Sequence, residues 1–244
     1  MESSEHMHAQ KEQGAPCGRM RRAAYRHGEL SVVAFVPEHA SPDTVLYLHA
    51  DEETAQALCG AAPAANAALV AIDGEDWNRD LSPWAAERVF KKGEPFSGGA
   101  DAYLQRLLRD VIAPFEASLA VAPSRRMLAG YSLAGLFAVY ASYRTDAFCA
   151  FASVSGSLWF DGFDAFMQKN TPIRIPEKAY FALGDLEKRT RNPRMAQVEA
   201  CTAQAAARFK ALGAQVRFEL NPGNHFACVT GRMQKALAFV LARP

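Results

Sequence analysis

Met127-Leu128-Ala129-Gly130-Tyr131-Ser132-Leu133-Ala134-Gly135-Leu136-Phe137 is the stretch that decides how this chain is read. An apolar run, Arg126 to Ala129, meets a helical stretch, Leu133 to Tyr143, through small residues placed around one serine. Gly130, Ala134 and Gly135 permit a sharp strand-to-helix turn and a close approach of neighbouring backbone. Such a turn exposes the Ser132 hydroxyl at the end of a sheet, where a nucleophile belongs. A serine that merely caps a helix after a glycine is the plainer alternative. Ala134 departs from the stricter Gly-x-Ser-x-Gly pattern, with Gly135 following one residue later.

Outward from this turn, strand-length apolar runs alternate with amphipathic helices, which predicts an α/β fold with a doubly wound, mostly parallel sheet. Ser31 to Val36, Thr44 to His49 and Ala68 to Ile72 read as strands, the latter two without polar alternation, as suits strands buried on both faces. Asp101 to Leu119 carries one helical stripe through Leu104, Leu107, Leu108, Val111, Ile112 and Phe115, with Pro114 expected to kink or shorten its end. Phe148 to Val154 and Lys178 to Leu183 are further strands, and the segment between them is too short for a large lid domain. Asn192 and Pro193 open a helix that Gly213 ends. Gln215 to Leu220 alternates and belongs near the sheet edge, and after the turn Asn221 to Asn224 a last helix runs from about Cys228 to Leu241.

A serine hydroxyl needs a base within hydrogen-bond reach, a group orienting that base, and donors for the developing oxyanion. His225 follows the last strand in a Pro-Gly-Asn turn, from which it can reach over the carboxyl ends of the strands, and is the candidate base. The order serine, acid, histidine places the acid just past an intervening strand, where Gly184-Asp185-Leu186-Glu187 lies. Glu187 is favoured, because four residues of turn can point it back, while Asp185 remains the alternative acid or a turn cap. The N–H of Leu133 is the first oxyanion donor, and Ala50 or Asp51, after the strand ending at His49, the second. His49, Asp51 and Glu53 run off that strand into a loop with no second ligand cluster, so no metal site is expected.

The remaining composition limits the function classes. The chain has 244 residues, half of them hydrophobic, with 27 Lys and Arg against 26 Asp and Glu, which suits one domain and gives no basic excess for nucleic acid. Five cysteines, Cys17, Cys59, Cys149, Cys201 and Cys228, are scattered without zinc or redox spacing, which favours a reducing compartment. There is neither a signal-like apolar stretch at the start nor a run long enough for a membrane span, so a cytoplasmic protein is expected. Residues 1–27 read as a flexible leader and residues 28–244 as the catalytic domain. Oligomeric state is not legible.

Gly130-Tyr131-Ser132-Leu133-Ala134-Gly135-Leu136-Phe137, followed by Leu183-Gly184-Asp185-Leu186-Glu187 and Asn221-Pro222-Gly223-Asn224-His225-Phe226, resembles the putative-esterase family of α/β hydrolases, which holds siderophore esterases and esterase D type enzymes. The resemblance runs from about residue 28 to the C-terminus. It implies an α/β-hydrolase fold and a serine esterase acting on a small-molecule ester, siderophore-like or a small acyl ester, through an acyl-serine intermediate, with no metal or organic cofactor. Ser132, Glu187 and His225 match its nucleophile, acid and base. A thioesterase or acyltransferase on the same triad, and a catalytically silent binding protein, are the rival outcomes. The N-terminal substrate-binding region of some catecholate-siderophore esterases has no counterpart here. Trp77, Arg79 and Trp84, on a long loop past the third run, either line a pocket or pin that loop; Trp159, past a later strand, stands the same way, and Tyr131 beside the serine is a further substrate-binding candidate.

Overall fold

The computed structural model describes residues 20–38, 42–61, 66–118 and 122–242. Its centre is an eight-stranded sheet built from β1 (Met20–His27), β2 (Leu30–Pro37), β3 (Thr44–His49), β4 (Ala67–Asp73), β5 (Arg125–Tyr131), β6 (Ala150–Val154), β7 (Lys178–Gly184) and β8 (Gln215–Asn221). The strands lie in the order β1-β2-β4-β3-β5-β6-β7-β8. β2 is antiparallel to both β1 and β4, and every other pairing in this sheet is parallel. The helices are α1 (Glu52–Leu58), α2 (Trp77–Asp80), α3 (Ala100–Arg106), α4 (Ala113–Ser118), α5 (Leu133–Ala141), α6 (Phe163–Lys169), α7 (Val198–Ala211) and α8 (Val229–Leu241).

Both faces of the sheet are covered. Val45 and Tyr47 of β3 pack with Leu104, Phe137, Phe163 and Phe209 in one core, while Leu46 and Leu48 pack with Leu58, Met233, Leu237 and Val240 in the other. β3 is accordingly buried at every residue, as its unbroken apolar run predicts. Among the described residues β8 pairs only with β7, and it alternates in exposure from Gln215 to Phe218, at the sheet edge its polar alternation predicts.

β1 corrects the expected leader. Residues 20–27 pair with β2 along their whole length, so the sheet begins inside the segment assigned to residues 1–27; residues 1–19 lie outside the described residues. Arg21, Arg22 and Arg26 are exposed while Tyr25 packs against the core, so a charged edge strand presents the composition of a solvated tail.

The helix around Pro114 is continuous from Ala100 to Ser118, with a π-helical turn over Leu107–Ile112. The N–H of Ala113 donates to the carbonyl of Leu108, five residues back. This wider turn accommodates a ring that has no N–H and would crowd the preceding turn, so the proline is absorbed rather than ending the helix. Cys149, Cys201 and Cys228 are free thiols. Among the described residues no helix is long and apolar enough to cross a membrane.

Candidate active site

Ser132 sits between β5 and α5 with φ 56° and ψ −120°, a conformation that L side chains rarely adopt. Its N–H donates to the carbonyl of Val154 at 3.0 Å, and its own carbonyl accepts from Gly135, Leu136 and Ser157, so the surroundings hold the strained residue in place. Gly130 explains why the turn closes: a Cβ there would lie 2.2 Å from the carbonyl carbon and oxygen of Ala134. The close approach therefore needs a bare glycine at 130 and only backbone at 134, which is why Ala134 is accommodated. As the first residue of α5, Leu133 has an N–H with no intrahelical acceptor.

Glu187 and His225 are brought together by two turns fastened side by side. The N–H of Asp185 donates to the carbonyl of Asn221, that of Leu186 donates to the carbonyl of Gly223, and Asp185 Oδ1 accepts the N–H of Gly223 at 2.9 Å. A Cβ at Gly184 would fall 2.2 Å from the Gly223 oxygen, so this contact too depends on a glycine. Across the join, His225 Nδ1 lies 2.8 Å from Glu187 Oε2. Glu187 Oε1 accepts from the N–H of Gly184 at 2.6 Å, Ser155 Oγ at 2.7 Å and Arg232 Nη1 at 3.0 Å. Burial, the largest influence, works to raise the pKa of this carboxyl, but hydrogen bonds from His225, Gly184 and Ser155 together outweigh it and leave it below the ordinary value. Glu187 is thus the carboxylate on the histidine, and Asp185 is the turn cap.

Ser132, Glu187 and His225 border one cavity of about 360 Å³, shared with Phe90, Ser157, Trp159, Met195, Val198 and Phe226. Trp159 is the one tryptophan among them, with the Arg194 guanidinium 5.7 Å from its ring centre. Tyr131 turns away from the substrate role assigned to it: its hydroxyl donates to the carbonyl of His225, and its ring lies 5.3 Å from the imidazole. Trp84 pins its loop instead of lining the cavity, packing among Tyr140, Phe160, Phe163 and Phe166 while Nε1 donates to the carbonyl of Asp161. Arg79 is held by Asp80 through two bonds of 2.9 and 3.0 Å, and Trp77, half-exposed on α2, does not border the cavity.

Of the two N–H groups expected as the second oxyanion donor, that of Ala50 is already engaged. The N–H of Ala50 is taken by the carbonyl of Ile72 at 3.0 Å, and Asp51 caps α1 by accepting the N–H of Thr54. Both border a depression with Ser31, Val33, Ala71 and Asp73. Two participants escaped the sequence reading, Ser155 and Arg232. Ser155 follows β6 with φ 47° and places its hydroxyl on Glu187. Arg232 stands on the buried stripe of α8 with Ala236 and Val240, and an arginine on an apolar helix face was the available signal.

A sequence model of the family described as Putative esterase matches residues 37–225, ending on His225. The chain belongs to that family. No curated protein matches it in sequence. Among solved structures, this esterase-family chain is similar to an IroE-like serine hydrolase from Shewanella oneidensis, with a TM-score of 0.73 at 17% identity over 90% of this chain and 79% of that one. It is similar to the siderophore hydrolase EstB from Aspergillus nidulans, with a TM-score of 0.66 at 19% identity over 91% of this chain and 95% of that one. The enterochelin esterase from Shigella flexneri gives a TM-score of 0.69 at 15% identity, with 93% of this chain and 59% of that one covered. At these identities the likeness establishes the fold, an α/β hydrolase with an eight-stranded sheet.

Proposed function

We propose that the protein is a serine esterase that cleaves carboxylic esters through an acyl-enzyme on Ser132. His225 Nε2 takes the hydroxyl proton as Ser132 attacks the ester carbonyl, then delivers it to the leaving alcohol; water, deprotonated by the same nitrogen, attacks the acyl-serine and regenerates the hydroxyl. Glu187 holds the imidazole in the tautomer with hydrogen on Nδ1 and stabilises its cation. The N–H of Leu133 faces the charge that develops on the carbonyl oxygen.

The observation that carries this reading is the 2.8 Å contact between His225 Nδ1 and Glu187 Oε2 beside a cavity that Ser132 also borders. Membership of the esterase family supports ester hydrolysis as the reaction class. Phe90, Trp159, Met195, Val198 and Phe226 around the cavity favour a substrate with an apolar or aromatic portion next to the reacting carbonyl. Small acyl esters and siderophore-like esters both meet that description, and siderophore hydrolases are named among the structural neighbours.

The test is turnover of a panel of short p-nitrophenyl esters, acyl thioesters and catechol-siderophore lactones, with Ser132→Ala as the blank. Ester turnover that disappears in a folded Ser132→Ala variant is the expected result. Equal turnover in that variant contradicts the reading, and turnover of thioesters alone reassigns the substrate while keeping the machinery.

A further inference from the structure

We propose that Arg232 is a positioning residue, a single buried guanidinium that seats both the acid and the base of the Ser132 site. The inference rests on the reading of Ser132, Glu187 and His225 as the catalytic set. Arg232 is 1% exposed, on a helix whose neighbouring inward positions are Met233, Ala236, Leu237 and Val240. An arginine there is costly unless its charge and donors are matched, and an apolar residue would satisfy the packing alone.

Its two terminal nitrogens are divided between the two halves of the site, while the buried Nε makes no hydrogen bond among the described residues. Nη1 donates to Glu187 Oε1 at 3.0 Å and to Ser155 Oγ at 3.1 Å. Nη2 donates to the carbonyls of Pro222 at 3.1 Å and Asn224 at 2.9 Å, in the turn that leads directly into His225. One arm therefore fixes the carboxylate and the other fixes the backbone that carries the imidazole. Glu187 Oε1 receives the Gly184 N–H, the Ser155 hydroxyl and Arg232, which leaves Oε2 to His225 and stops the carboxylate from turning. The planar fork suits this task, since its two ends hold a fixed separation that a lysine ammonium cannot reproduce. The cation also balances the carboxylate inside the core.

A structural staple and a positioning residue differ in how their effects combine with the loss of Glu187. The experiment measures kcat and KM on a p-nitrophenyl ester for wild type, Arg232→Met, Glu187→Gln and the double variant, with circular dichroism on each. Arg232→Met is expected to lower kcat roughly 10²-fold with KM little changed, because a displaced base is costly even when the substrate still binds. The double variant is expected to be within about threefold of Glu187→Gln alone, since both changes break one linkage. Losses that multiply in the double variant, a change confined to KM, or near-wild-type kcat in Arg232→Met would overturn the proposal. Should Arg232→Met fail to fold, Arg232→Lys keeps the charge and loses the fork; a clear drop in kcat supports the proposal and a wild-type kcat contradicts it.

A second measurement does not depend on turnover. The His225 Nδ1 proton, hydrogen-bonded to a carboxylate, is expected as a downfield proton resonance that Glu187→Gln abolishes. Arg232→Met is expected to abolish it too in a folded protein, and its persistence there overturns the proposal whether or not Ser132 proves to be a nucleophile. Activity of Ser132→Ala tests the catalytic reading separately, so the failure of one is distinguishable from the failure of the other.

Discussion

His225 Nδ1 meets Glu187 Oε2 at 2.8 Å, while Asp185, two residues before Glu187, spends Oδ1 on the N–H of Gly223. The two carboxylates of one turn thereby have separate tasks. Glu187→Gln is expected to lower kcat by about 10³ to 10⁴-fold, as loss of the orienting carboxylate does in serine hydrolases, whereas Asp185→Asn is expected to retain kcat within a few-fold. Steady-state rates of the two variants on one ester separate them, and equal mild losses would mean that the histidine works without an acid.

Gly184 and Gly223 set how closely the acid turn approaches the base turn. A methyl group at 184 would stand 2.2 Å from the Gly223 oxygen and 2.7 Å from Arg232 Nη2. Gly184→Ala must therefore push the His225 turn away, at a cost of about 1–3 kcal/mol typical of overpacking. Urea unfolding together with kcat checks this, the expected outcome being a folded, weakened protein with strongly reduced turnover. An alanine variant of full activity would show that the turns need not touch.

Much of this arrangement was legible in the sequence, and the exceptions share a cause. The strand-to-helix turn at Ser132, the buried runs of β3 and β4, and the half-exposed β8 follow from small residues and hydrophobic periodicity, which act locally. β1 was missed because an edge strand studded with Arg21, Arg22 and Arg26 needs the partner β2 to become recognisable. Ala50 was named with Asp51 as an oxyanion donor because their loop follows β3, yet the Ala50 N–H is spent on Ile72 of the adjacent β4, a pairing that local sequence does not specify. Trp84 likewise reads as either pocket or pin until Tyr140, Phe160, Phe163 and Phe166 close around it.

His49 supplies a pH dependence of stability. Burial pushes its imidazole down to about 3, with Asp80 acting in the opposite direction, and Nε2 is 2.9 Å from the Tyr103 hydroxyl. The unfolded chain protonates this histidine near pH 6.5 and the folded chain does so only far lower, so the unfolded state binds more protons in between. Its stabilising contribution is complete above about pH 6.5 and is lost as pH falls toward about 3, at up to about 1.4 kcal/mol per pH unit. Relative to His49→Gln, the wild-type unfolding free energy is expected to decline over pH 6 to 4; a constant difference contradicts the assignment. The depressed Glu187 adds a similar acid-side loss, setting in as pH falls below about 4.3.

Phe226 is 76% exposed beside His225 and borders the Ser132 cavity, so it has little packing to lose. Phe226→Ala is expected to leave the unfolding free energy within about 0.5 kcal/mol of wild type. The same change is expected to weaken apolar and aryl esters by about 10-fold in kcat/KM, the scale of one lost apolar contact. A panel of acetyl, hexanoyl and benzoyl esters reads this, and a uniform response across the panel would remove Phe226 from substrate recognition.

The central claim is that Ser132 is a nucleophile activated by His225. Labelling with a fluorophosphonate, followed by peptide mass spectrometry, tests it most directly because the reagent needs the activated hydroxyl and no knowledge of the natural substrate. The account predicts one adduct on the peptide containing Ser132, absent in Ser132→Ala and strongly slowed in His225→Ala. An unlabelled wild-type protein, or an adduct that persists unchanged in Ser132→Ala, would contradict it.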